Sequence, residues 1–463
     1  MLYKSFIWGE YKMNSKQLVI DALLNKEVER IPWIPFVGCH AAKLIGVSAE
    51  EYFKDSTNIV NGITKAYEEY RPDGLPALFD LQVEAEAMGC TLKYAEMNPP
   101  SVVTHPLEEG VKLSELKVPS EEDGRFPIVL EATRKICKKL GDKIAIYGLI
   151  TGPFTMALHL LGTDIFYKMM DDPEYTHELL KFCEKVCIST ARMYIDAGVD
   201  VIAVVDPMTS QISPSCFSEF VSPYATSIFN YIRSRAKLSS FFVCGNAKKN
   251  IEEMCKCKPN NVSIDENIPL EYVKKICQKY GVSFGGNIKL TVTMLFGTPT
   301  DNIKDAENCM SIGGKKGFIL SPGCDIPFDT PSENIKAITS YVHGEVSKFL
   351  ESNSTLGDVK VEIPDYKNEK QVIIDVVTLD SESCAPCQYM VEAVKNSAAK
   401  FGSKVRWAEH KIKEKESVVF MLKMGVKNIP TLLIDGKIKY ISTIPEESQL
   451  EKDIESAVEK KNI

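Results

Sequence analysis

Three cysteines stand where a chain of alternating strands and helices would expose its chemistry. Cys39, Cys244 and Cys324 each follow a short apolar run, at 33–37, 239–243 and 317–320, and His40 adjoins the first. Thiolates and imidazole are the soft and borderline ligands that zinc prefers, and a catalytic zinc takes three protein ligands and keeps one position open. Cys39, Cys244, Cys324 and His40 are therefore the candidate metal ligands. A second thiol chemistry lies near the C-terminus, at Cys384-Ala385-Pro386-Cys387. This CxxC follows a strand-like run and opens a helical one. A helix N-terminus lowers a thiol's pKa through its unpaired N–H groups and dipole, so Cys384 and Cys387 are candidate redox groups.

The elements that must position these residues follow from the apolar pattern. Short runs at 33–37, 77–79, 144–150, 201–205, 239–243, 261–264, 282–285 and 317–320 read as buried parallel strands. Amphipathic stretches at 56–70, 127–139, 173–197, 214–234, 270–280 and 300–312 read as the helices between them. Eight strands alternating with helices define an α/β chain with a (β/α)8 TIM barrel, and β-like pieces at 91–95 and 101–106 read as an inserted hairpin. Active groups of such barrels lie at the C-terminal strand ends. Among the residues there, Asp80 and Asp206 are the candidate catalytic groups and Thr151, Asp265 and Asn287 the candidate cofactor-binding groups. The expected organisation is an extension at 1–14, the barrel at 15–347, a polar linker at 348–369 and a small second domain at 370–463, ordered β-α-β-α-β-β-α.

Composition excludes other classes. The 463 residues carry 55 Lys and Arg against 63 Asp and Glu, a net charge of −8, which argues against nucleic acid as a partner. No apolar run approaches the roughly 20 residues of a membrane helix, and residues 1–12 lack the core of a signal peptide. Met13 is an alternative start, before a capped helix at Asn14-Ser15. Fourteen scattered cysteines fit free thiols in a reducing cytoplasm. Cys183 and Cys187, spaced i, i+4 on an apolar helix, read as core, and Cys255 and Cys257 as solvated thiols. The run from Gly313 to Gly317 precedes a strand and reads as a helix-ending turn, and His410 has no assigned role.

Several segments resemble a known family. They are Gly148 with Gly152-Pro153-Phe154-Thr155; Ala197-Gly198-Val199-Asp200 followed by Asp206-Pro207, Ser213-Pro214, Phe217, Glu219-Phe220 and Pro223-Tyr224; and Ser321-Pro322-Gly323-Cys324-Asp325-Ile326-Pro327 with Thr330-Pro331 and Glu333-Asn334. The chain is similar over about 15–346 to the uroporphyrinogen decarboxylase superfamily, and within it to the cobalamin-dependent methyltransferases. The resemblance implies a (β/α)8 barrel. The decarboxylases carry Arg residues after the first strand for substrate carboxylates, whereas Gly38-Cys39-His40-Ala41-Ala42-Lys43 has none. Asp80 does match the decarboxylase Asp that meets pyrrole nitrogens. The methyltransferase branch has an H-x-C…C zinc motif; Cys244 and Cys324 match its cysteines, while Phe242 occupies the His position. The resemblance thus implies about one zinc per chain on Cys244 and Cys324, completed by Cys39 or His40, with Glu266 as a weaker oxygen alternative.

The branch implies zinc-dependent movement of a methyl group between a corrinoid protein and a thiol or similar acceptor. The alternatives are a tetrapyrrole decarboxylase and a non-catalytic corrinoid-binding or redox-relay protein. The second domain resembles the thioredoxin and glutaredoxin superfamily through its CxxC and Ile429-Pro430-Thr431, which implies a cis-Pro430 packed beside the active disulfide. Its expected purpose is to reduce a disulfide among Cys39, Cys244 and Cys324; carrying the transferred group on Cys384, or docking alone, are the other options.

Overall fold

The short apolar runs become parallel strands because helices cover their outer faces while their side chains fill a common interior. The computed structural model describes residues 14–345 and 361–461, except Ser383, Lys413, Lys427 and Asn428. Met13, the rest of the extension before Asn14, and the linker up to residue 360 lie outside the described residues. Strand β1 is Gly74–Pro76, followed by the inserted hairpin β2 (Leu92–Lys93) and β3 (Ser101–Val102). The barrel continues with β4 (Ala145–Thr151), β5 (Val201–Val205), β6 (Leu238–Val243), β7 (Asn261–Ile264), β8 (Ser283–Ile288) and β9 (Phe318–Pro322). Seven parallel strands pair in the order β1-β4-β5-β6-β7-β8-β9. The run at 33–37 closes the ring without forming a ladder. Trp33 bridges Leu320, Ile34 N–H donates to the Leu320 carbonyl at 3.0 Å, and Asp73 N–H donates to that of Trp33 at 2.9 Å.

Two elements differ from the sequence expectation. The second barrel strand is Gly74–Pro76, paired with Ala145 to Tyr147, and not 77–79. Past Ala77 the chain leaves the ladder for the rim, where Asp80 meets Arg125 at 2.7 Å. The helix expected at 214–234 is interrupted by a π turn at Phe217–Val221 before continuing as Ser222–Ser234. Pro223 has no N–H to donate, and a wider turn absorbs that loss. Helices Ser56–Tyr70, Pro173–Ala197 and Leu270–Tyr280 form as read. Asp55 and Asp172 cap the first two, and left-handed Gly198 and Gly281 end the last two.

Side chains from the strands fill the barrel. Ile34, Phe36, Tyr147, Leu149, Val205, Phe242 and Ile319 belong to one buried cluster. The Phe242 ring lies 4.9 Å from Phe36 and 6.1 Å from Phe79, centroid to centroid. Cys183 and Cys187 are fully buried, as expected. Cys255 and Cys257 are not solvated: both are buried, and the Cys255 sulfur lies 3.6 Å from that of Cys277. The short helix Ile251–Lys256 turns Cys255 toward Leu270–Tyr280, while Cys257, just past its end, faces the Ser222 carbonyl at 3.9 Å.

The second domain has strands β10 (Val372–Thr378), β11 (Val405–Lys411), β12 (Thr431–Ile434) and β13 (Lys437–Ile441), ordered β11-β10-β12-β13. One face of β10, with Val372, Ile374 and Val376, buries helices Ala385–Ala399 and Glu447–Lys461 through Met390, Val394, Leu450 and Ile454. The period-2 alternation of a strand sends Val377 to the other face. There it clusters with Val418, Phe420, Met421 and Leu433, and with Leu295 and Phe296 of the barrel.

The domain touches the barrel elsewhere too: Tyr389 of helix Ala385–Ala399 is buried in the barrel's core cluster, and Lys93 lies 3.9 Å from Glu382. Asn98 Nδ2 donates to Asp380 Oδ2 at 3.1 Å. Gln211 Oε1 accepts the Ile444 N–H at 3.3 Å. Asn98 lies in the insertion after β1, Gln211 in the segment after β5, and Leu295 in that after β8. These segments are spread around the ring and all leave the C-terminal ends of strands. A domain held by all three lies across the barrel mouth.

Candidate active site at the barrel mouth

Cys244 and Cys324 meet at this mouth, with their sulfurs 2.7 Å apart. Backbone hydrogen bonds and two glycines bring them there. Asp265 accepts the Gly245 N–H at 2.8 Å and the Asn267 N–H at 2.9 Å, which fixes the turn after Cys244. Asn287 Nδ2 donates to the carbonyls of Asp265 at 3.1 Å and Ile268 at 2.7 Å, tying the β7 loop to β8. A Cβ at Gly323 would sit 2.5 Å from the Glu266 nitrogen, so only glycine lets Cys324 approach along this path. Gly38 likewise leaves room for the Asp325 carboxylate and donates its N–H to Oδ1 at 2.7 Å.

The electrostatics of the mouth favour protonated groups. The Cys244 thiol is pushed well up by its contact with Cys324, by burial, and by Asp265 and Asp325. Burial raises Asp325 to about 7. Burial, helped by Asp265, raises Glu266 to about 8. Asp325 is thus poised to exchange a proton near neutrality.

The remaining candidate ligands turn away. The Cys39 sulfur faces the Ile326 carbonyl at 3.8 Å, and burial and Asp325 push its thiol well up. His40 has both ring nitrogens engaged, Nδ1 with the Phe328 carbonyl at 2.9 Å and Nε2 with the Tyr70 hydroxyl at 2.7 Å. Burial lowers it to about 4. Phe242 keeps the third position of the H-x-C…C motif inside the ring cluster of Phe36 and Phe79. Among the described residues no group of three His, Cys, Asp or Glu side chains converges on a metal position. Two thiols beside a phenyl ring do not fit a three-ligand catalytic zinc.

Asp80, Asp206 and Thr151 are committed to protein partners. Asp80 accepts from Arg125 Nη1 at 2.7 Å and from the Gln82 N–H at 2.8 Å. Asp206 accepts the Thr155 N–H at 2.7 Å, the Thr155 hydroxyl at 2.6 Å and the Phe154 N–H at 3.1 Å, at the start of helix Pro153–Leu161. Burial raises it to about 6. The Thr151 N–H donates to Glu84 Oε1 at 3.1 Å, and its hydroxyl donates to the Leu81 carbonyl at 2.7 Å. With Asp265 and Asn287, these residues shape the mouth.

Sequence reasoning missed Glu84 and Arg125. Both are polar residues in segments with no motif, and only the fold buries them, at 1% and 5% exposure. Burial raises Glu84 to about 7. The folded chain therefore keeps this proton up to about pH 7, while the unfolded chain releases it near its ordinary value of about 4.3. Stability contributed by Glu84 falls as pH rises through that window. Glu84→Gln, which does not titrate, is expected to gain stability relative to the parent between about pH 5 and 8, by on the order of 2–3 kcal/mol. Urea midpoints across that range check this; parallel profiles for the two chains would refute it.

In the second domain, Cys384 forms the N-cap of helix Ala385–Ala399 and is half-buried, whereas Cys387 is fully buried. They form a disulfide with Cα atoms 5.2 Å apart. The Ile429–Pro430 bond is cis. The Ser442 N–H donates to the Pro430 carbonyl at 2.7 Å. His410 stacks on Phe420 and contacts Asp375 Oδ1 at 2.8 Å through Nε2.

Residues 14–345 match the uroporphyrinogen decarboxylase (URO-D) family, and residues 372–455 match a thioredoxin domain. A barrel of this topology with its functional rim at the strand C-termini, matched over its whole length, is a member of the URO-D family, and this chain belongs to it. Among its relatives, the methylcobamide:CoM methyltransferase MtbA of Methanosarcina acetivorans is 26% identical over 327 residues, covering 69% of this chain and 95% of the relative. The methylcobamide:CoM methyltransferase MtaA of Methanosarcina barkeri is 28% identical over 334 residues, covering 70% and 96%. A uroporphyrinogen decarboxylase of Anaeromyxobacter sp. is 25% identical over 342 residues, covering 70% and 97%. The solved structure of a methyltransferase from Methanosarcina mazei shares the fold at a TM-score of 0.67 and 24% identity, covering 72% of this chain and 99% of that one. Among the described residues no helix is long and apolar enough to cross a membrane.

Proposed function

We propose that the barrel moves a methyl group between the cobalt of a corrinoid, carried by a partner protein, and a thiol acceptor. The observation that carries this reading is the meeting of Cys244 and Cys324 at the mouth, in a chain that aligns with 95% of a methylcobamide:CoM methyltransferase. The acceptor sulfur attacks the methyl carbon in line; the S–C bond forms as the Co–C bond breaks, and the electron pair of that bond stays on cobalt. The barrel contributes proximity and a proton acceptor. Asp325, raised to about 7, takes the thiol proton, so the transfer rate rises with pH through about 7. Zinc has no place in this proposal, because the pair offers two sulfur ligands and Phe242 stands where the third would be.

A carboxylate-rich tetrapyrrole would lack the Arg residues that the decarboxylases carry after their first strand, and the groups present in that region and at Asp80 are already engaged. Lys43 is engaged by Asp329 at 2.7 Å, and Asp80 is neutralised by Arg125. Anaerobic incubation with uroporphyrinogen, and separately with methylcobalamin plus thiols, distinguishes the two chemistries. Thiol-dependent loss of the methylcobalamin spectrum and no coproporphyrinogen are expected. Coproporphyrinogen formation with methylcobalamin untouched would replace this reading with the lyase.

A further inference from the structure

We propose that the C-terminal domain is a dithiol–disulfide reductase whose substrate, in cis, is the Cys244–Cys324 pair. This goes beyond methyl transfer and is tested without it. The barrel holds two close cysteine pairs among the described residues, Cys244 with Cys324 at 2.7 Å and Cys255 with Cys277 at 3.6 Å. The second is sealed, at 1% and 0% exposure. The first is half-buried at the mouth and lacks a third metal ligand, so a two-electron couple is the chemistry left to it.

The second domain lies across the same mouth, and a short chain of contacts joins its cis-proline edge to Cys244. Pro430 accepts from Ser442 N–H at 2.7 Å, and Gln211 accepts from the next-but-one residue, Ile444, at 3.3 Å. Gln211 Nε2 donates to Ser210 Oγ at 3.0 Å. A Cβ on Gly245, the neighbour of Cys244, would lie 3.0 Å from that same Ser210 Oγ. The two cysteines of the domain are also unequal in the way exchange requires. Half-buried Cys384 is the attacking thiol, and fully buried Cys387 resolves.

The exchange balances within the chain. A low-molecular-weight disulfide first oxidises Cys244 and Cys324, forming their S–S bond and leaving two reduced thiols. The Cys384 thiolate attacks one sulfur of that bond, which breaks, and the other barrel cysteine leaves as thiolate. Cys387 then attacks the Cys384 sulfur, the mixed disulfide breaks, and the second barrel thiolate leaves. The barrel gains two electrons, the domain loses them, and an external dithiol re-reduces the domain.

The test uses full-length Cys387→Ser, treated with oxidised glutathione and analysed by non-reducing peptide mass spectrometry. A Cys384–Cys244 or Cys384–Cys324 peptide is expected in most chains, at a yield independent of protein concentration. A second measurement follows reduction of the barrel pair in the parent by limiting dithiothreitol, using differential alkylation. It is expected to be at least about tenfold faster than in Cys384→Ser, because tethering holds the domain at an effective concentration on the order of millimolar. Equal rates in those two chains, or a Cys387→Ser adduct that forms only between chains or with Cys137 or Cys216, would overturn the proposal.

Discussion

Phe242→Ser would only open a gap, but Phe242→His will turn the mouth into a zinc site. The parent, purified without oxygen, is expected to hold well under one zinc per chain after gel filtration, and the variant about one. Residue 242 is on β6 and Cys244 directly follows the end of that strand; both side chains pack into the same interior cluster. Cys324 already meets Cys244 there at 2.7 Å. A third ligand completes the protein side of a tetrahedral site, and the gain in zinc affinity is expected to be about a thousandfold. The exchange removes a ring packed 4.9 Å from Phe36, so the metal-free variant loses on the order of 2–3 kcal/mol of stability. Zinc restores it, because binding to the folded state alone is folding free energy. Metal analysis and thermal unfolding with and without chelator check both halves. A parent chain that retains one zinc, or a variant that binds none, contradicts this description of the site.

Charging the seam between the domains has the second large effect. Leu295 and Phe296, at 8% and 4% exposure, cluster with Val377, Val418, Phe420 and Met421 of the second domain. Leu295→Asp with Phe296→Asp removes two apolar contacts and buries two carboxylates without partners. The cost to docking is on the order of 4–6 kcal/mol, set against what remains of the seam, buried Tyr389 and the polar contacts at Asn98 and Gln211. The radius of gyration in solution scattering is expected to rise by several ångströms with circular dichroism unchanged. Methyl transfer from a corrinoid is expected to accelerate, because the mouth is uncovered. An unchanged scattering profile would show that the seam does not hold the domain.

Much of the fold was legible because local signals agreed with it. Helix Pro173–Ala197 is bounded by a capping Asp172, a first-position Pro173 and a left-handed Gly198, all readable from residue type. The β1 shift was not legible, since Ala77 to Phe79 is as apolar as a strand, and the Arg125 partner that holds Asp80 at the rim lies 45 residues away. At the site, spacing led to Cys244 and Cys324. It did not exclude Cys39 and His40, because their direction is set by distant groups. Asp325 takes the Gly38 N–H, and Tyr70, thirty residues on, captures the imidazole. Cys255 and Cys257 show the same limit: their place after a helix suggested solvent, and packing of Cys255 against Cys277 and of Cys257 against Ser222 decided otherwise. The docking of the second domain left no trace in composition. Leu295 and Phe296 look like ordinary barrel residues until the face of β10 is laid against them.

The most direct test of methyl transfer follows the methyl group itself. The full chain is incubated without oxygen with methylcobalamin labelled with carbon-13 in its methyl group and with coenzyme M, and the products are followed by NMR. One labelled thioether per cobalamin demethylated is predicted, at a rate that rises with pH through about 7 as Asp325 ionises. Methylcobalamin that stays methylated with coenzyme M and across a panel of other thiols, or that loses its methyl group without forming a thioether, would contradict it.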